Sequence, residues 1–119
     1  MANSATLITS VNHRGKVIHE YAVVLDTTSS DLTILTPVAG NHVFMHGISF
    51  SEGTGTPNLT FKSGSTAIFT PELAANQGIW NVVNRDNYYL ATAQSAALIL
   101  NTSVIISTLV IHVSEGAFF

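Results

Sequence analysis

Apolar positions in this chain recur with a period of two. Residues 58–62 show it most plainly, where Leu59 and Phe61 alternate with Asn58, Thr60 and Lys62, the pattern of a strand with one buried and one solvated face. Between such runs lie clusters of turn formers. His13-Arg-Gly15, Ala39-Gly-Asn41 and Ser63-Gly-Ser65 read as tight turns, with Gly15 free to take positive φ. Residues 26–31 and 52–57 read as polar loops, and Pro37 and Pro71 stop strands because proline has no N–H for a ladder. Strands are expected near 7–11, 17–25, 32–35, 41–50, 58–62, 66–69, 79–83, 88–92, 97–100 and 104–113. In the fourth, alternation puts His42, Phe44, His46, Ile48 and Phe50 on one face. Residues 72–77 fit one helical turn or extended chain, and no segment holds a helical period for longer. About eight to ten strands, with turn signals every ~8–12 residues, predict an all-β fold: a single-domain antiparallel β-sandwich, jelly-roll-like. The domain is expected to fill residues 1–119, with a flexible arm at 1–6 and a short tail at 114–119.

The last strand changes this picture, because it is apolar on both faces. Val104, Ile106 and Val110 share one face; Ile105, Leu109, Ile111 and Val113 share the other. A strand of a small sandwich normally buries one face, so the second calls for a neighbour. Val104, Ile106 and Val110 are therefore expected at a subunit interface, joined by the terminal Phe118 and Phe119. Composition agrees. Charged residues are 9% of the chain, against ~25% in ordinary domains, and interface cores are depleted in charge. Seven acidic and four basic residues give a net charge of −3 with no basic patch, so no nucleic-acid partner is expected. No apolar run approaches the ~20 residues of a spanning helix, and no basic-then-apolar leader opens the chain. Neither a membrane partner nor a signal peptide is expected. With no cysteine, disulfides and thiolate chemistry are excluded.

Candidate chemistry is sparse. His42 and His46 are four apart, which on a strand separates them by ~13 Å, too far for one metal ion. With His19 and His112 they are expected on strand surfaces or subunit contacts. Asp26 and Asp31 suit loop solvation, and Arg85-Asp86 a locally paired turn. No serine lies in a Gly-x-Ser-x-Gly setting and no carboxylate pair stands out. The expectation is a non-enzyme without cofactor, metal or catalytic residues. Trp80, Tyr88 and Tyr89 suit a core or interface, or alternatively a sugar-stacking platform.

The segments Leu59-Thr-Phe-Lys-Ser-Gly-Ser-Thr-Ala-Ile68, Leu73-Ala-Ala-Asn-Gln-Gly78, Tyr89-Leu-Ala-Thr-Ala93 and Ala97-Leu-Ile-Leu-Asn-Thr-Ser103 lie within residues 59–103. Together this module resembles small virion structural proteins of tailed bacteriophages, in particular capsid cement (decoration) proteins. The resemblance implies a jelly-roll homotrimer that stabilises the phage head by bridging major capsid subunits. It implies a virion location on the capsid surface, after synthesis in the bacterial host cytoplasm. Capsid contacts are then expected from the arm and a loop, at Ala2, Asn3, Ser4, Glu52 and Thr54. The alternative is a receptor- or glycan-binding module of a phage tail or spike, using Trp80, Tyr88 and Tyr89.

Overall fold

A computed structural model describes residues 3–25, 30–52, 59–69, 78–84, 86–103 and 106–117. These residues form ten strands and no helix: β1 (Ser4–His13), β2 (Lys16–Leu25), β3 (Leu32–Leu35), β4 (His42–Glu52), β5 (Leu59–Ser63), β6 (Thr66–Phe69), β7 (Gly78–Val83), β8 (Leu90–Ala91), β9 (Leu98–Thr102) and β10 (Ile106–Gly116). All pairings are antiparallel. A six-stranded sheet runs β1-β2-β10-β4-β7, with β8 also paired to β4; a four-stranded sheet runs β3-β9-β5-β6.

The period-two pattern decides which side chains are buried. Leu59, Phe61 and Ser63 of β5 are buried between half-buried Thr60 and Lys62, and β9 repeats the pattern with Leu98, Leu100 and Thr102. Leu59, Phe61, Leu98 and Leu100 join Val23, Leu25, Val43, Met45, Ile48, Leu109, Ile111 and Val113 of the other sheet in one cluster. The two sheets thus share a single core, built mainly from β-branched residues and leucine that pack well on pleated surfaces. β10 is central, between β2 and β4. It sends Leu109, Ile111 and Val113 inward, as the alternation predicts.

The turns also follow local chemistry. Gly40 and Gly64 have φ of 93° and 61°. His13 pairs with Lys16, so β1 and β2 are joined by two residues, Arg14 and Gly15, with φ of 55° and 82°. Positive φ at both positions marks a type I′ turn, which favours Asn-Gly or Gly-Gly. Asn12 Oδ1 accepts a hydrogen bond from Gly15 N at 3.1 Å. Arginine fits this turn poorly, since a left-handed conformation costs a side-chain-bearing residue about 1–2 kcal/mol.

Several boundaries differ from expectation. β1 begins at Ser4, pairs Ser4 with Val24 and packs Ala5 against the core, so the expected arm belongs to the sheet from Ser4 onward. β10 runs to Gly116, into the expected tail, because β4 supplies partners as far as His42. The strand expected at 88–92 is only Leu90–Ala91. Residues 72–77 lie outside the described residues, as do most of the two polar loops.

Phe61 is 1% exposed at the centre of the shared core. Phe61→Ala is expected to lower the unfolding free energy by about 3–5 kcal/mol, read as a shifted urea midpoint with an unchanged slope.

Candidate functional site

The outer face of the six-stranded sheet carries a dense polar cluster, built around an irregularity in β4. His112 pairs with Gly47 and Val113 with Met45, so the ladder skips His46. Such a bulge re-aims the side chains that follow it. Val43 and Met45 enter the core before it and Ile48 after it, while His46 turns outward. The expected alignment of His42, Phe44, His46, Ile48 and Phe50 on one face therefore breaks at this point.

The opposite edge of β4 is interrupted at the same place. β7 pairs with Gly47–Glu52 and β8 with Phe44 and Met45. Asn84 N donates to His46 O at 2.8 Å, and Tyr89 N donates to Met45 O at 2.8 Å. Asn84 and Tyr89 thus bond neighbouring positions of β4, and residues 86–88 form a strap between them. This strap crosses the outer face. Asn87 O accepts from His46 Nδ1 at 2.6 Å, Tyr88 packs on Phe44 with ring centroids 4.9 Å apart, and Asp86 Oδ1 accepts from His13 Nε2 at 2.6 Å. Asp86 also meets Arg14 Nη1 at 3.5 Å. Thr92 closes the segment: its N–H donates to Val43 O, its hydroxyl oxygen accepts from Val43 N, and its carbonyl accepts from His42 Nδ1. Three of the five histidines therefore hold residues 86–92 to the sheet.

Beneath the strap, the Ser114 hydroxyl donates to His46 Nε2 at 2.7 Å. The carbonyl of Asn87 can only accept, so it fixes the proton of His46 on Nδ1 and leaves Nε2 as the acceptor. Hydroxyl, imidazole and acceptor follow the order of a nucleophile–base pair. Two features deny it that chemistry. His46 and Ser114 are 0% and 1% exposed, so no substrate reaches them, and a neutral carbonyl replaces the carboxylate that stabilises an imidazolium. Burial, the largest influence, holds the His46 pKa below its ordinary 6.5, and the nearby Lys16 and His112 push the same way. Beside this chain His112 Nδ1 lies 3.0 Å from Glu20 Oε1. Both His46 and His112 are thus buried, where surface or subunit-contact positions were expected.

A second polar cluster ties β5 and β9 to Asp31, the residue before β3. Lys62 Nζ donates to both oxygens of Asp31 at 3.0 and 3.2 Å, and Asn101 Nδ2 donates to Asp31 Oδ1 at 2.8 Å. The Asn101 hydrogen bond first, and the Lys62 ammonium second, hold the Asp31 carboxyl below its usual pKa. Asp86 likewise forms a long-range contact across the sheet; the local pair expected with Arg85 lies outside the described residues. The Asp86 pKa is lowered by the His13 hydrogen bond and then by Arg14. At the β1–β2 turn, His13, Arg14, Lys16 and Asp86 line a cavity of about 170 Å³. Among the described residues no group of three or more His, Asp or Glu is placed to hold a metal ion. Nor is any helix among them long and apolar enough to cross a membrane, which leaves β-barrels unaddressed.

The other candidate residues scatter. Val110 is half-buried on the outer face. Ile106 opens β10 opposite Leu25, and Val104, Phe118 and Phe119 lie outside the described residues. Asn3 donates to Ser30 O at 3.4 Å and Ser4 sits in β1. Glu52 ends β4, while Ala2 and Thr54 lie outside the described residues. Of the aromatic trio, Trp80 is described in backbone alone, Tyr88 is half-buried against Phe44, and Tyr89 is 51% exposed. No family model, curated protein or solved structure matches this chain.

The depressed pKa of His46 sets a sign. The unfolded chain takes up this proton near pH 6.5 and the folded chain only at lower pH. Its contribution to stability is complete above about pH 6.5 and is lost as pH falls toward the folded value, with a slope of at most ~1.4 kcal/mol per pH unit. Urea titrations between pH 7.5 and 5, each approximate bounds for this window, are expected to show this decline, and His46→Gln to flatten it.

Proposed function

We propose that the protein is a structural virion component, a capsid cement protein that assembles as a homotrimer and bridges major capsid subunits on the phage head. The two sheets are read as a jelly-roll sandwich. What supports this reading is the strand order, β2-β10-β4-β7 in one sheet and β3-β9-β5-β6 in the other. Strands consecutive in sequence largely alternate between sheets, as in paired Greek keys.

The observation that carries the assembly reading is the half of the outer face that the strap does not cross. Thr6, Ala22, Val110 and Ser49 form one register row across β1, β2, β10 and β4. Ser4 and Val24 flank it on the same face. None is charged, and Ala22, Val24, Val110 and Ser49 are already half-buried. The adjoining edge strand β1 carries no Lys, Asp, Glu or Pro, and Leu7 and Ile8 are 50% and 56% exposed. Natural sheet edges are normally guarded by charge or proline. An unguarded edge beside an uncharged face suits burial against further copies of this chain, with Val110 at its centre. A clamp of this kind needs area and shape rather than chemistry, and repetition over a lattice multiplies a modest energy per site.

Light scattering of the purified chain is expected to give three times the monomer mass. Ala22→Arg is expected to yield a folded monomer with an unchanged circular dichroism spectrum. Wild-type protein is expected to co-sediment with undecorated capsids and the variant to lose at least about tenfold in occupancy. A wild-type monomer, or a trimer indifferent to Ala22→Arg, would contradict the assignment of this face.

A further inference from the structure

The cavity at the β1–β2 turn brings together two of the chain's four Lys and Arg. The protein has four Lys and Arg against seven Asp and Glu, yet Arg14 and Lys16 line this one cavity with His13. We infer that this cavity is a binding site for a small carboxylate ligand of sugar-acid size. The site is separate from the uncharged face assigned to assembly.

Arg14 carries the argument. It holds φ at 55° in a turn whose other central residue is glycine, a position where Asn or Gly folds more readily. Residues kept in disfavoured conformations cluster at functional sites. The arginine is thus not explained by the turn. Its side chain is 79% exposed and meets Asp86 at 3.5 Å. A guanidinium carries five donors in a planar fork, more than one carboxylate oxygen can use, and that fork matches a second carboxylate.

Asp86 defines the charge of the ligand. It accepts from His13 Nε2 at 2.6 Å and stays ionised, its pKa lowered by that bond and by Arg14. Among the described lining residues, two cations against one carboxylate leave one net positive charge, which suits an anion. The neighbouring strap residue Asn87 is fixed to buried His46, so Asp86 is held in place before any ligand arrives. A volume of about 170 Å³ admits a ring-sized group, below the ~300 Å³ at which sites for larger organic ligands begin.

The test is an amide chemical-shift titration of the full chain with glucuronate, with glucose, acetate and phosphate as comparators. Saturable shifts around residues 13–16 and 86 are expected for glucuronate, with a Kd on the order of 1 mM and weaker binding of the other three. Arg14→Asn is expected to weaken glucuronate binding about tenfold with Tm unchanged or raised, because Asn-Gly is the favoured type I′ pair. Lys16→Gln, outside the turn's central positions, is expected to weaken it as well. Absence of saturation by ~50 mM glucuronate, or affinity untouched by both substitutions, would overturn the site. Binding of glucose, acetate or phosphate as tight as glucuronate would overturn the ligand class.

Discussion

The backbone of β4 sets the constraint on which the rest of the six-stranded sheet depends. This strand runs eleven residues, from His42 to Glu52, and β7 covers only Gly47–Glu52. Carbonyls and amides left on a buried edge cost about 1–3 kcal/mol each when unsatisfied, so the 42–46 half needs another partner. The chain supplies it through Asn84, Tyr89 and Thr92. Between those positions, residues 86–88 are laid over the outer face. The bulge, the strap and the burial of His46 are consequences of one unpaired edge.

That solution divides the outer face into two unlike halves. One lies under the strap, where His46, Ser114, Glu20 and His112 meet away from water. A buried imidazole is tolerated where neighbours satisfy it, as Asn87 and Ser114 do for both ring nitrogens of His46, tying β4, β10 and the strap together. The other half is a small-residue row without charge, continuous with the bare edge of β1. A strand apolar on both faces called for a cover, and the cover comes partly from within the chain. Val110 and Ala22 are half-buried, and the proposed assembly places its contact there.

Much of the fold was legible because local rules decided it. The Leu59/Phe61 alternation, the glycine turns at 15, 40 and 64, and the inward set Leu109, Ile111 and Val113 follow from period two and positive φ. What escaped were features that need long-range knowledge. His13 and Asp86 are 73 residues apart, so a polar turn at 84–87 gave no sign of reaching the first hairpin. The burial of His46 depends on the bulge beside it. One signal was present: Gly47 interrupts an otherwise apolar strand, and a glycine inside a strand often marks a bulge. Likewise Arg14 next to Gly15 in a two-residue turn is a locally disfavoured choice, visible before any contact is known.

Asn84, Tyr89 and Thr92 belong to the sheet's hydrogen-bond ladder and not to a loop lying upon it. Native-state hydrogen exchange of the Asn84, Tyr89 and Thr92 amides tests it most directly. The account predicts protection close to that of Ile111 and Val113 at the centre of β10, with all of them opening in the same cooperative step. Exchange at these three amides with the low protection of an open loop, while β2 and β10 stay protected, would contradict it.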